Sequence, residues 1–320
     1  MRNSIRSICI LSILLAASAA RAENWPSRSI RAMIPFGAGS AADVVPRVVF
    51  DRLSAELGQS IVVENRAGAG GTLGTAMVVK AEPDGYSILA QSSALAIAPA
   101  IYPDLAFDPT KVLASVLMIG ASANVMIVSP SRPWKTVQDF ITDAKAKPGS
   151  MTFGSVGVGS AVHISAEKFR LAAGITATHV PYRGGAEVIA DIIGGRVDFY
   201  MCPLATALPM IRGGEVRALL VSAPQRVEDL PDVPVPSEIG LKDAESASWY
   251  AVFAPVKTPR DIVDKLHDAG VKVLNEPDMQ GALHRLGVKP MPMTPAQMDE
   301  FFDREVAAYR DLIKAAGIQP

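Results

Sequence analysis

Two short glycine-rich loops are the residues of this chain best suited to chemistry. The first follows the apolar run 30–35 and reads Phe36-Gly37-Ala38-Gly39-Ser40-Ala41-Ala42-Asp43. The second follows the run 151–153 and reads Gly154-Ser155-Val156-Gly157-Val158-Gly159-Ser160-Ala161-Val162-His163. Each run stops at small residues, which then enter a helical pattern. A loop of this kind lets backbone N–H groups and a helix N-terminus converge on an anion. The two copies stand about 120 residues apart. That spacing predicts two lobes gripping one ligand, which is a binding-protein layout.

The loops carry no cation. Residues 33–46 and 150–165 contain neither Lys nor Arg, and a third strand end, Gln91-Ser92-Ser93-Ala94, offers only hydroxyls and an amide. An anion here is held by amides, hydroxyls and helix dipoles, which suits a carboxylate met by several neutral donors. Reversible capture favours such a site, because a dry ion pair is costly to assemble. Val180-Pro181-Tyr182-Arg183-Gly184-Gly185 reads as a strand end, a turn and a helix start. Tyr182 is placed to cover an organic ligand and Arg183 to contact a distal carboxylate; the alternative for Arg183 is a solvated surface charge.

Other chemistries have weaker support. Gly37-x-Gly39-x-x-Ala42, with Glu64 ending the next strand, matches a dinucleotide fingerprint. Asp43 immediately after it suits a helix start and not a pyrophosphate. The loop Asn65-Arg66-Ala67-Gly68-Ala69-Gly70-Gly71-Thr72 fails that fingerprint, since Leu73 holds the third glycine position; it either lines the cleft or serves as a structural loop. No G-x-S-x-G elbow exists, because Gly154-Ser155-Val156-Gly157 has the wrong spacing. The four histidines are scattered, and neither H-E-x-x-H nor a Cys cluster occurs. His163 sits in the first turn after the second loop, within reach of a cleft. His179 reads as a packed or capping residue and Cys202 as core. No cofactor and no metal is expected.

The start of the chain reads as a removable secretory signal. Arg2 and Arg6 precede an apolar stretch over 8–17, and Ala20-Arg21-Ala22 fits a cleavage site. Cys9 lies inside this segment, which argues against a lipoprotein anchor. Removing 1–22 takes Arg2, Arg6 and Arg21 and leaves 28 basic against 32 acidic residues. That balance favours neither nucleic acid nor an anionic membrane as partner. One cysteine, Cys202, remains, so no intrachain disulfide forms. With 49% hydrophobic residues the chain has the material for a large core.

Strand and helix patterns alternate throughout, predicting an α/β fold with largely parallel sheets. Expected strands are 30–35, 60–64, 86–91, 125–129, 151–154, 176–180, 197–201, 217–222 and 249–254. Expected helices are 41–57, 72–81, 137–146, 161–173, 185–193, 204–212, 259–274, 278–286 and 295–316. Thr294-Pro295-Ala296-Gln297 offers an N-cap, a first-turn proline and a capping-box partner. Met298, Phe302, Val306, Tyr309 and Ile313 then form one apolar stripe. No long linker occurs, so the first domain is expected to be interrupted. The chain crosses near 125–129 and returns near 219–223, giving lobe 1 as 23–125 plus 224–320 and lobe 2 as 126–223.

Together these segments resemble the tripartite tricarboxylate transporter substrate-binding family, the Bug receptors. The resemblance runs from Trp25-Pro26 to the C-terminus. It rests on Pro35-Phe36…Gly39…Asp43…Arg47, Val63-Glu64-Asn65-Arg66, Gly68-Ala69-Gly70-Gly71, Pro83-Asp84-Gly85-Tyr86, Gly157…Gly159…His163, Val180-Pro181-Tyr182, Gly194-Gly195…Val197-Asp198, Leu230-Pro231-Asp232-Val233-Pro234 and Trp249…Phe253-Ala254-Pro255. It implies a periplasmic, two-lobed "Venus flytrap" binding protein of type II, each lobe a mostly parallel sheet flanked by helices. Such a receptor closes on a small organic acid and delivers it to a membrane permease; it is expected to be a monomer and not an enzyme. The family's loops matching 36–43 and 154–160 hold the ligand carboxylate. The candidate ligand residues are therefore Phe36, Gly37, Ala38, Gly39, Ser40, Ala41, Asp43, Ser92, Ser93, Ser155, Gly157, Gly159, Ser160, His163, Tyr182, Arg183 and Asp198. Ser40 departs from the family's usual glycine and adds a donor inside the first loop. A periplasmic sensor and a periplasmic enzyme acting on a carboxylic acid remain alternatives. Dicarboxylates, tricarboxylates, acidic amino acids and aromatic acids all stay open as ligands; Phe36, Phe153, Tyr182 and Tyr200 suit an aromatic acid or a core equally well.

Overall fold

A computed structural model describes residues 25–316 and 318. The expected signal, 1–22, lies outside the described residues. The first half begins with β1 (Ile30–Ile34), α1 (Ala41–Leu57), β2 (Ile61–Asn65), α2 (Thr72–Val79) and β3 (Ser87–Ser92), and β1 pairs parallel with both β2 and β3. There follow α3 (Ala94–Ile101), α4 (Pro109–Val112) and the long strand β4 (Leu113–Val128). The second half holds α5 (Val137–Ala146), β5 (Met151–Ser155), α6 (Ala161–Ala173), β6 (Ala177–Pro181), α7 (Gly185–Ile193), β7 (Phe199–Pro203), α8 (Leu204–Arg212) and β8 (Arg217–Ser222). Here β5 pairs parallel with β6 and β7. The chain ends with β9 (Ala247–Pro255), α9 (Arg260–Leu274), α10 (Pro277–Arg285), β10 (Val288–Pro290) and α11 (Pro295–Ala316).

The strand order is β2-β1-β3-β9-β4-β7-β5-β6, with β8 and β10 also on β4. The three strands farthest from β4 in each half are parallel, as the alternation predicts. The strands at the crossing are antiparallel: β4 pairs with β9 over Leu113–Ala123 and with β7 and β8 over Asn124–Val128. One strand thus threads both halves. The expectation at 125–129 captured only its last part. Residues 113–124 are mostly buried, so no polar face alternates with an apolar one to mark a strand. The unexpected helix α3 hides for the same reason: Ala94 to Ala98 are all buried, and Pro99 disguises the helical run.

Local signals set the helix starts. The Asp139 N–H donates to Thr136 Oγ1 at 3.1 Å while the Thr136 N–H donates to Asp139 Oδ2 at 2.9 Å, a complete capping box before α5. The Gln297 N–H donates to Thr294 Oγ1 at 3.3 Å before α11. That helix buries Met298, Phe302, Val306 and Ile313, four of the five expected stripe positions, and Tyr309 is half-buried.

The first half packs Ile30, Ile34, Val45, Phe50, Ile88 and Val252 into one core, and Met33, Leu89, Trp249 and Phe253 into another with Met298 and Phe302 of α11. The second half has a core on each face of its sheet. Phe140, Phe153, Phe169 and Phe199 fill one; Val125, Ile127, Val188, Ile192 and Val221 fill the other. The connection after β8 joins these second-half cores, with Leu230 and Val235 in the latter and Leu241 and Ala244 in the former. Phe140 meets Trp134 and Phe199 edge-on, with centroids at 4.9 and 5.1 Å.

Phe153 also stacks on His179 at 4.9 Å, and His179 stacks on His163 at 4.1 Å. Burial pushes the His163 imidazole down to about 3, with His179 and Arg170 adding to the effect, and burial pushes His179 down to about 4. Both are neutral in the fold but protonate near 6.5 in an unfolded chain. The unfolded state therefore binds more protons between those values, and stability rises with pH across that window.

Two outcomes follow for denaturant unfolding. Phe140→Ala should lower stability by about 3–5 kcal/mol, because it opens a cavity in a filled aromatic cluster. The wild type should hold its full stability above pH 6.5 and lose it progressively toward pH 4. His163→Gln should flatten that loss; an equally steep profile in the variant would contradict the role of this imidazole.

Candidate functional site

The two halves close on each other along a cleft. The Tyr102 hydroxyl donates to the Val158 carbonyl at 2.8 Å across it. A Cβ placed on Gly37 would lie 3.2 Å from the Arg183 carbonyl oxygen, so the two backbones meet there almost directly. Between them lies an inner cavity of about 30 Å³, room for one or two water-sized groups, and outside it a chamber of about 840 Å³. Phe36 and Val156 wall both spaces.

Helix starts from both halves face the inner cavity. Ala41 and Ala42 open α1, Ala161 and Val162 open α6, and Gly185 opens α7; all five line it. N–H groups in a first helical turn have no intrahelical acceptor, and the helix dipole is positive there. Ser40, Ser92, Ser160, Thr206, Ser248, Tyr200 and Tyr250 add hydroxyls, while no charged side chain lines the cavity. Ser160 caps α6 by accepting from the His163 N–H at 3.4 Å. Ser40 stands at the same position of α1, yet its Oγ makes no capping bond and has no partner at all.

Each glycine loop is braced from behind. Asp43 accepts from the Gly39 N–H at 2.9 Å and from Arg47 Nε at 2.7 Å, and Asn65 Nδ2 donates to both Asp43 and the Phe36 carbonyl at 2.9 Å. In the second loop, the Gly159 N–H donates to His163 Nδ1 at 3.2 Å. Ser155 Oγ lies 2.6 Å from His179 Nε2 and accepts from the Gly157 N–H at 3.1 Å. Ser155 and His179 have the spacing of a nucleophile and its base. Ser155 is fully buried and lines neither space, so the pair gives a substrate no approach. Burial also pushes the Cys202 thiol well above its ordinary range, which keeps it protonated and unreactive.

The expected residues thus separate by position. Phe36, Ser40, Ala41, Ser92 and Ser160 line the inner cavity; Phe36, Gly157, Tyr182 and Arg183 line the outer chamber, as does the loop Gly68–Gly71. Gly37, Ala38 and Gly39 form the turn into α1. Gly159 is braced by His163, which sits behind the loop with Ser155. Asp43 likewise supports the first loop. Ser93 is buried at the start of α3 and lines neither space. Asp198 also lies elsewhere: it pairs with Arg132 at 2.6 Å and accepts from the Thr152 N–H at 2.8 Å, joining β5 to β7. A carboxylate of that kind is already neutralised by its partners. The Tyr182 hydroxyl is committed to Asp191 at 2.5 Å, and burial with that carboxylate pushes its phenol up to about 12. Of the aromatic candidates, Phe153 is core, whereas Tyr200 lines the inner cavity. Ser248, Tyr250 and Thr206 were not expected. Nothing in the sequence marks them except hydroxyls inside or beside apolar elements. Glu64, the acidic residue of the dinucleotide pattern, instead pairs with Arg66 at 2.6 Å. Among the described residues, no group of three His, Cys, Asp or Glu side chains is arranged to hold a metal, and no helix is long and apolar enough to cross a membrane.

Known proteins resemble this chain along most of its length. A protein of Agrobacterium vitis, "UPF0065 protein in the TAR-I ttuE-ttuC' intergenic region", is 34% identical over 99% of this chain and 92% of its own length. The solved structure of R. palustris Rpa4515 with adipate is 31% identical and superposes with a TM-score of 0.89, covering 93% of this chain and all of its own. MatC (Rpa3494) from Rhodopseudomonas palustris with bound malate is 28% identical, with a TM-score of 0.84 over 90% of this chain and all of its own. The family described as tripartite tricarboxylate transporter family receptor matches residues 45–318. With that match, the two-lobed α/β fold and these relatives, the chain belongs to the tripartite tricarboxylate transporter receptor family, the Bug receptors.

Proposed function

We propose that this chain is a periplasmic solute receptor that captures a small organic carboxylate between its lobes and delivers it to a membrane permease. The observation that carries this reading is the inner cavity itself. Helix N-termini from both halves converge there around hydroxyls, with no cation present. Neutral donors of this kind stabilise a carboxylate without the desolvation cost of a buried ion pair, so the ligand is released when the lobes part. The cavity takes one end of the acid, and the Phe36–Val156 neck leads its body toward the outer chamber and Arg183. Adipate and malate on two relatives support the carboxylate class. The buried Ser155 and the protonated Cys202 support a receptor without chemistry of its own.

The ligand contacts in this reading are Phe36, Ser40, Ala41, Ser92 and Ser160 inside, with Gly157, Tyr182 and Arg183 outside. Gly37–Gly39, Asp43, Ser155, Gly159 and His163 shape the loops. The lobes divide within β4 near Asn124. The return crossing lies at the start of β9, because Leu230, Val235, Leu241 and Ala244 pack into second-half cores; this is later than the 219–223 that the β-rich runs suggest. A receptor must bind its ligand differently in its open and closed forms if closure is to report occupancy.

Thermal unfolding of the mature protein against succinate, malate, adipate, citrate, glutamate and benzoate tests the reading. At about 100 times its dissociation constant a true ligand adds roughly 2.7 kcal/mol, and no product should form. Ala161→Asp places a carboxylate at the first position of α6, where the dipole favours it. It should keep the fold and abolish the shift, whereas Ala161→Ser should retain it. Full ligand affinity in Ala161→Asp would sink the assignment of this cavity.

A further inference from the structure

Ser40 Oγ and the Tyr250 hydroxyl are buried, have no hydrogen-bond partner, and open on the same inner cavity. Ser40 is 5% exposed and Tyr250 1%. They come from different parts of the fold. Ser40 precedes α1, while Tyr250 lies in β9, paired with Ser92 of β3 on one side and Gly120 of β4 on the other. Burial raises the Tyr250 phenol far above its ordinary value, so it is a hydrogen-bond donor at every physiological pH; the neighbouring Ser248 hydroxyl opposes the shift but gives its own proton to Asn124 Oδ1 and makes no well-formed bond with the phenol. The ring alone accounts for its packing against the first-half core. The hydroxyl is not accounted for by packing, since a buried donor left unpaired is destabilising.

The base of the cavity is also held firmly. Ser248, beside Tyr250 in sequence and also lining the cavity, donates to Asn124 Oδ1 at 3.1 Å, and Asn124 Nδ2 donates to Ser246 Oγ at 3.3 Å. These bonds tie β4 to β9 where both pass between the lobes. A hydroxyl carried on β9 is therefore presented from the hinge side and does not depend on either loop.

We propose that Tyr250 is a specificity-determining residue whose phenol donates to an oxygen of the bound acid from the base of the cleft, opposite Ser40. The inference rests on the carboxylate reading above. Because the inner cavity is only about 30 Å³, the two hydroxyls reach the same end of the ligand. That end must carry oxygen acceptors open to both sides, as a carboxylate does.

Calorimetric titration of the full mature chain tests this, with the tightest binder among succinate, malate and adipate as probe. Tyr250→Phe removes the hydroxyl and keeps the ring. It should weaken binding by about tenfold to a hundredfold, the range for a hydrogen bond to a charged partner. The unliganded variant should unfold at the wild-type temperature or above, because the lost group has no partner there. Ser40→Ala should also weaken binding, and the double variant should lose less than the product of the single losses. Tyr250→Phe affinity within twofold of wild type overturns the proposal, as does a fall in unliganded stability that accompanies the lost affinity. If none of these three, nor citrate, glutamate or benzoate, binds the wild type, the carboxylate reading fails as well; wild-type binding that Tyr250→Phe leaves intact removes only this inference.

Discussion

The two lobes meet around a cavity lined by helix starts and hydroxyls with no charged side chain, and that close approach of neutral donors depends on the arrangement of both lobes. Backbone amides supply such donors only if the main chains themselves approach. At Gly37 they do: an added Cβ would lie 3.2 Å from the Arg183 carbonyl, so a larger residue would force the loops apart. At Gly70 the margin is smaller still, with the Val158 carbonyl 2.8 Å from an added Cβ and a backbone φ of +61°. The glycines therefore serve distance across the cleft as much as local turning. Side-chain cations would fill the space that the amides need.

Loops without side chains must be stiffened from outside, and both are. The Asp43–Arg47–Asn65 cluster holds the first turn by its Gly39 N–H and its Phe36 carbonyl. The stacked imidazoles hold the second, with His163 accepting from the Gly159 N–H and His179 facing Ser155. The carboxylate, guanidinium and imidazole groups that brace these loops thus stand one layer behind the inner cavity. Their partners are internal, which leaves the hydroxyls and helix starts as the groups that face inward. Preorganised donors of this kind lose little freedom when they engage an anion.

The same economy of contact appears at the crossing. β4 belongs to both halves, and β9 runs beside it along the first. Asn124 bonds Ser246 and Ser248 together at that point. This short polar cluster holds the register of β4 and β9 where the two halves join. Tyr102 and Val158 join the two halves at the cleft by a second, separate contact.

Much of this organisation is written locally. The start of α1 at Ala41 and of α6 at Ala161 follows from loop composition, and the capping residues Thr136 and Thr294 act within one turn of chain. The absence of Lys and Arg from both loops is legible without reference to any other segment, and the cavity between the halves has no charged side chain in its lining. What sequence could not supply is whatever depends on burial or on distant pairing. The first part of β4 and α3 carry no periodic face because they are covered on all sides. Asp198 resembles a ligand residue until Arg132 and Thr152 claim it. Tyr250 resembles core until β3, β4 and β9 align to turn its hydroxyl into the cavity. By itself the sequence determined most of the elements and the two cation-free loops, because those depend on neighbours in the chain. Only the tertiary structure decided which polar groups are already paired and which face the cleft, because partners such as Asn124 and Ser248 lie 124 residues apart.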